Sequence, residues 1–302
     1  MRRPRWQQKG RCRVLGLLGA LALFALVTSS PLRPVDTAPV DFTAAATPTP
    51  AHVVVVVEEN RSYSNIIGNA SAPYINSLAA NGASMTQSFA EVHPSEPNYL
   101  ALFAGSTLGV TENTCPVNAG ATPNLGAQLL ASGHTFIGFA ESLPAVGSLV
   151  CSSAKYARKH APWVNFTNIP PSYSVPFSAF PAPENPQYYA SLPTVSFVIP
   201  NLDNDMHDGS IARGDQWLQQ NLSAYAEWAK ANNSLLVLTW DEDDNSERNR
   251  IPTIFYGANV RPGTYSEPIS HYNVLSTLEQ MYGLPKLGHA TRAPAITDIW
   301  AG

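Results

Sequence analysis

From His52 onward, short apolar runs alternate with longer amphipathic stretches. Val53–Val57 is a run of valines that ends in Glu58, Glu59 and Asn60, the pattern of a strand buried on both faces of a parallel sheet. Met85–Phe89, Thr135–Phe139, Val195–Ile199, Leu235–Trp240 and Thr253–Tyr256 read as further strands. The spacing predicts helices over Tyr74–Ala80, Asn98–Phe103, Leu125–Ala131, Gln216–Ala231 and His271–Met281. Pro200 and Asn201 break the chain after the fourth strand, and Gly257 after the last. This alternation predicts an α/β sandwich built mainly on a parallel sheet. Pro162–Pro193, rich in Pro, Ser and aromatics without periodicity, predicts a long ordered loop or cap over one sheet edge. In such sheets ligands bind where the strands' carboxyl ends open into loops, so polar clusters at those ends are where chemistry is expected.

The first 30 residues have a different character. Arg2, Arg3, Arg5, Lys9, Arg11 and Arg13 run into the apolar stretch Val14–Val27 without a single acid. A spanning helix needs about 20 apolar residues. The shorter run predicts a secretory signal peptide over 1–30, a Pro/Thr/Ala-rich tether over 31–50 and one domain over 51–302. Without the leader the chain keeps 12 basic residues against 22 acidic ones, a net charge of −10. Such a chain is a poor general binder of nucleic acid, and any membrane contact is expected to be transient. A monomer is expected. Cys12 leaves with the leader, so Cys115 and Cys151 are expected to pair in an oxidising compartment, secreted or in the cell envelope. Loop closure puts that bond at roughly 3–4 kcal/mol.

Four polar clusters follow apolar runs or precede a helix. Glu58-Glu59-Asn60-Arg61-Ser62 follows the valines, and Asp241-Glu242-Asp243-Asp244 follows Leu235–Trp240. Two carboxylates ~4 Å apart at an effective dielectric near 20 repel by about 4 kcal/mol, unless solvent or a cation screens them. Carboxylates with an Asn amide oxygen suit a hard cation such as Mg²⁺, Ca²⁺ or Mn²⁺, and the closely paired His or Cys ligands that favour zinc are missing. In His93-Pro94-Ser95-Glu96-Pro97-Asn98-Tyr99, Ser95 precedes a helix start, where free N–H groups favour an anion. In Asp203-Asn204-Asp205-Met206-His207-Asp208-Gly209, His207 among acids is a candidate proton donor. His271 opens a helix behind Ser270. His52, His134, His160 and His289 have no supporting context and read as structural.

Glu59-Asn60-Arg61-Ser62, Ser95-x-Pro97-Asn98 and Asp241-Glu242, in that order, resemble the phosphoesterase family of acid phosphatases and phospholipases C. The stretches HPSEPNYLALFAG, FVIPNLDNDMHDGS and SHYNVLSTLEQ carry the likeness furthest and place it nearest the secreted acid phosphatases. The resemblance covers about His52 to Trp300 and implies the three-layer, alkaline-phosphatase-like α/β/α fold. It implies that Glu59, Asn60, Asp241 and Glu242 hold one cation and that Ser95 is the nucleophile of a phosphoseryl mechanism. It further implies that His207 and His271 line the phosphate pocket, with Asn98 helping to hold phosphate. The expected substrates are phosphate monoesters such as phosphoinositide headgroups or nucleotides. The plant phospholipases carry Thr at the nucleophile and Arg after the Asn, where this chain has Ser95 and Tyr99. Their DEHGG is here Asp241-Glu242-Asp243-Asp244-Asn245. Those departures weigh against a bulky diester. A phospholipase C-type phosphodiesterase and a non-catalytic cation-binding module are the alternatives.

Overall fold

The computed structural model describes residues 46–301. The expected leader and residues 31–45 of the expected tether lie outside the described residues. In chain order the elements are β1 His52–Glu58, α1 Tyr63–Ile66, α2 Pro73–Asn81, β2 Ala83–Phe89, α3 Ser95–Ala104, α4 Leu125–Ala131 and β3 Phe136–Ala140. A small hairpin, β4 Ser152–Ser153 and β5 Tyr156–Ala157, leads to β6 Ser174–Pro176 and β7 Val195–Ile199. Then come α5 Ile211–Ala231, β8 Ser234–Trp240, β9 Arg250–Gly257, β10 Gly263–Tyr265, β11 Ile269–Ser270 and α6 His271–Met281.

The main sheet runs β10-β2-β9-β8-β1-β7-β3-β6, with β11 also paired to β2. The valines of β1 divide strictly by parity, because successive side chains of a strand point to opposite faces. Val53, Val55 and Val57 pack with Leu100 and Phe103 of α3, Leu125 of α4 and Leu275 of α6. Val54 and Val56 pack with Ile75 of α2 and with Leu218, Leu222 and Tyr225 of α5. The fold is therefore the expected three-layer α/β/α sandwich. Strand β1 pairs in parallel with both β7 and β8, so its valine run has no wet face.

One strand departs from the parallel rule. β9 runs antiparallel to both β8 and β2. Only Asp241–Asn249 separates β8 from β9, and a parallel return needs a crossover of a dozen residues or more. The Pro-rich stretch forms a cap of short 3₁₀ turns and adds β6 to the sheet edge beside β3. Its Trp163 ring lies against the backbone of β3 at Gly138, where a Cβ would come within 2.1 Å of the indole. The end of the expected tether is not free. Gln280 Nε2 donates to Thr47 Oγ1 (2.6 Å) and the Tyr282 hydroxyl to the Pro50 carbonyl (3.1 Å). Cys115 and Cys151 form the expected disulfide, with Cα atoms 5.8 Å apart.

Candidate active site

The segments that follow β1, β2, β7 and β8 converge at one edge of the sheet, where α6 also begins. Ser95 is the first residue of α3, and its side chain does not cap the helix. Its Oγ lies 3.0 Å from Glu242 Oε1 and 3.2 Å from Glu59 Oε2, so the single hydroxyl proton is shared by two carboxylates. The helix start is fixed by a neighbouring loop: Glu96 N donates to Asn113 Oδ1 (3.1 Å), and Thr114 N donates to Glu96 Oε2 (2.6 Å). Pro97 has no N–H, so the amides of Glu96 and Pro97 are not open to an anion.

Glu59 is fully buried at the end of β1. Its Oε1 accepts the Tyr99 hydroxyl at 2.6 Å and lies 2.9 Å from His160 Nε2. His160 Nδ1 in turn lies 3.5 Å from Asp205 Oδ2, and the ring stacks on Tyr99. Burial pushes the Glu59 carboxyl up, but the charge and hydrogen bond of His160, the charge of Lys159 and the Tyr99 hydroxyl together outweigh it and hold the group well below the usual carboxylate range. Burial pulls His160 down, yet Glu59 and Asp205 raise it to about 9. Burial and the charge of Glu59 lift Asp205 to about 6 against the pull of His160. The buried trio Glu59, His160 and Asp205 has side-chain donor atoms close enough together to hold a metal ion.

The acidic run after β8 splits by direction. Asp241 Oδ1 accepts the backbone N–H of Asn60 (3.1 Å), while its Oδ2 is buried without a partner among the described residues. Burial, and then the charges of Glu59 and Glu242, raise Asp241 well above the usual carboxylate range. Glu242 Oε2 meets His93 Nδ1, and His93 Nε2 reaches Asp243 Oδ1 at 3.2 Å. Burial raises Glu242 despite its bonds to Ser95 and His93. Asp243 turns back on its own loop, accepting the amides of Asn245, Glu247 and Asn249. Asp244 is exposed beside Ser246. The repulsion expected of four adjacent acids is thus divided among three environments.

Three expected roles change. Asn98 was expected to hold phosphate, but its amide is fully engaged by backbone. Its Oδ1 accepts the Glu91 and Val92 amides (2.9 and 3.1 Å), and its Nδ2 donates to the Val92 and Pro94 carbonyls (2.8 and 3.2 Å). It shapes the loop that delivers Ser95. His271 was expected to line the phosphate pocket, but it is buried and its Nε2 donates to the Asp241 carbonyl at 2.8 Å. That bond assigns the proton to Nε2 and leaves Nδ1 bare. Burial pulls the ring's pKa down to about 4, against the bond to the Asp241 carbonyl. His160, read as structural, stands instead at the centre. His207 lies at the rim, with Nδ1 2.8 Å from Asp208 Oδ1 and Nε2 3.4 Å from Lys159 Nζ. The Asn60 backbone has positive φ, and Arg61 latches its carbonyl (2.8 Å) together with that of Met206 (2.9 Å). The donor set has the oxygen chemistry a cation needs: Glu59 and Glu242 both face Ser95 Oγ, and Asp241 Oδ2 is buried without a partner among the described residues, while the described side chains that stand close enough together to share an ion are Glu59, His160 and Asp205.

The mainly parallel sheet layered between helices is the alkaline-phosphatase-like fold. A protein of the alkaline phosphatase superfamily from Vibrio parahaemolyticus superposes with TM-score 0.54 at 11% identity, over 84% of this chain and 72% of its own. The model of the phosphoesterase family matches residues 69–285, and the chain belongs to that family. It is 70% identical over 287 residues to a phosphatidylinositol-3-phosphatase of Mycobacterium tuberculosis, covering 95% of this chain and 93% of the relative. An acid phosphatase of Aspergillus fumigatus is 29% identical over 243 residues. The match takes in 74% of this chain but only 54% of that fungal protein.

Proposed function

We propose that the chain is a phosphomonoesterase acting on phosphoinositides, with Ser95 as nucleophile. The observation that carries this reading is the Ser95 hydroxyl held between Glu242 and Glu59 at the mouth of the sheet. The 70% identity to a phosphatidylinositol-3-phosphatase supports the substrate class.

Ser95 attacks phosphorus in line, and Glu242, whose proton affinity is raised by burial, takes the hydroxyl proton. The P–O bond to the leaving alcohol breaks, leaving a phosphoserine, and the alcohol oxygen takes a proton at the rim, where His207 and Lys159 sit. Glu242 then loses that proton to solvent, water attacks the phosphoserine with Glu242 taking the water proton, and the Ser95–phosphorus bond breaks as Glu242 hands the proton to the Ser95 oxygen and inorganic phosphate leaves. Glu59, Asp241, Glu242 and the Asn60 side-chain oxygen would hold a cation, which would supply charge neutralisation to the phosphoryl oxygens. His160 keeps Glu59 ionised and oriented, and His271 fixes the backbone of Asp241. The leader expected from the sequence and the Cys115–Cys151 disulfide support activity outside the cytoplasm.

The test is phosphate release from p-nitrophenyl phosphate by wild type and Ser95→Ala, each with and without chelator. Loss in Ser95→Ala with an unchanged circular dichroism spectrum is expected, as is loss on chelation restored by added Mg²⁺, Ca²⁺ or Mn²⁺. Turnover retained by Ser95→Ala sinks the serine assignment. A higher rate on bis-p-nitrophenyl phosphate than on the monoester would favour a phosphodiesterase.

A further inference from the structure

Beside the catalytic centre lies an apolar cleft of about 520 Å³, walled by Pro116, Leu149, Trp163, Phe166 and Ile169. Its one charged wall residue, Arg158, is buried. Its guanidinium is held by the Leu149 carbonyl (2.9 Å), the Val164 carbonyl (3.4 Å) and Asn165 Oδ1 (3.3 Å). The cleft continues outward into a loop whose side chains face water. Val146 is 58% exposed, Leu149 53% and Val150 43%. Among the described residues only two other large apolar side chains, Val92 and Tyr188, are so exposed, so this loop concentrates what the rest of the surface avoids.

Two uncharged stretches, Ser142–Ala154 and Ala161–Pro183, build this sector in a chain that is otherwise strongly acidic. The loop is also held in place. Gly147 N donates to the Ser174 carbonyl (2.8 Å), and the disulfide ties Cys151 to Cys115, next to Pro116. The turn Arg158–His160 joins the sector to the chemistry, since Arg158 walls the cleft while His160, two residues on, meets Glu59.

We propose that this sector docks on a lipid surface, with Val146, Leu149 and Val150 entering the boundary between headgroups and acyl chains. This rests on the phosphoinositide phosphatase reading and says how that substrate is reached. An acidic protein is repelled by an anionic bilayer wherever its acidic groups approach it, and here it offers a face with no acidic side chain in the cleft wall, its one charge being the buried Arg158. Two copies meeting through this face would bring two acidic bodies together, so charge favours the lipid as occupant.

The experiment compares wild type with the double variant Leu149→Ser, Val150→Ser. The substrates are phosphatidylinositol 3-phosphate in neutral phosphatidylcholine vesicles and the soluble headgroup inositol 1,3-bisphosphate. Loss of two inserted aliphatic side chains should lower kcat/KM on vesicles by roughly tenfold or more and leave the soluble headgroup unchanged. Flotation of Ser95→Ala with phosphatidylcholine vesicles, alone and combined with the double variant, reads binding without turnover and should show the same loss. Equal falls on both substrates, or no fall on vesicles, overturn the proposal. So does binding that needs anionic lipid and disappears with salt, or a wild-type dimer that the double variant dissociates. Failure of wild type to release phosphate from either substrate would instead strike the phosphatase reading, with flotation still testing the surface.

Discussion

Replacing Asn98 by alanine separates two accounts of the residue. In the structure its amide makes four hydrogen bonds to the backbone of Glu91, Val92 and Pro94, and the side chain has no accessible surface. Each such bond contributes about 0.5–1.5 kcal/mol, and groups left buried and unpaired cost more. The loop is half-buried, so water can recover part of the loss. Asn98→Ala should therefore destabilise the protein by about 2–4 kcal/mol. At 2–4 °C per kcal/mol for a domain of this size, Tm should fall by roughly 4–16 °C. Because Pro94 leads directly into Ser95, kcat should fall as well, since small misplacements of a nucleophile are costly. Inhibition by inorganic phosphate should be unchanged in the fraction that remains folded. Thermal unfolding, followed by phosphate inhibition measured well below Tm, checks both points. An unchanged Tm with phosphate binding weakened tenfold would refute the backbone role and restore Asn98 as a phosphate ligand.

Two further expectations concern buried charge. Glu279 accepts the Leu287 amide (2.8 Å) while its Oε2 is buried without a partner, and burial lifts its pKa from 4.5 to about 7. The folded state holds this proton more tightly than the unfolded one, so the stabilisation is complete below about pH 4.5 and is lost as pH rises through about 7. Glu279→Gln should flatten urea midpoints across that window and be the more stable form at pH 8, by about 1–2 kcal/mol after screening; a wild-type slope that persists in the variant would refute this. His160→Gln removes the cation between Glu59 and Asp205 and should cost about 3–5 kcal/mol in urea unfolding. Adding Asp205→Asn should recover part of that, and strictly additive losses would show that the two residues do not interact.

Much of the framework was legible because local pattern and burial agree. β7, α4 and α6 fall on the residues that periodicity indicates, and β1 differs by one residue at each end. α5 begins at Ile211, five residues earlier than the apolar pattern suggests. Ser210 caps it by accepting the Arg213 amide, and its first turns carry polar residues. The direction of β9 was not read from the sequence, because the strand actually begins at Arg250, three residues before the expected start, and shortens the connection to β8. The fragments β4, β5, β6, β10 and β11 are two or three residues long and exist only through their neighbours.

The site divides in the same way. Glu59, Ser95, Asp241 and Glu242 stand at strand or helix ends, and the fold brings Ser95 within hydrogen-bonding distance of Glu59 and Glu242. His160 was missed because its partners lie 101 and 45 positions away in the chain, and no local pattern joins them to it. The one available signal was the basic run Arg158-Lys159-His160 in so acidic a chain. Asn98 and His271 were singled out correctly as unusual, but their roles depend on backbone groups that a sequence does not display.

The bond from the Asn60 amide to Asp241 spans 181 positions, and that from Ser95 to Glu242 spans 147. Chain closure over such distances is entropically costly and is repaid only when β1 and β8 pair, so the reactive geometry is among the last things the folding chain acquires. Partly folded forms can hold most of their helices and still be catalytically silent. On refolding, recovery of turnover should therefore lag the far-ultraviolet signal and coincide with burial of Trp240 at the end of β8, making hydrolysis itself a reporter of sheet closure.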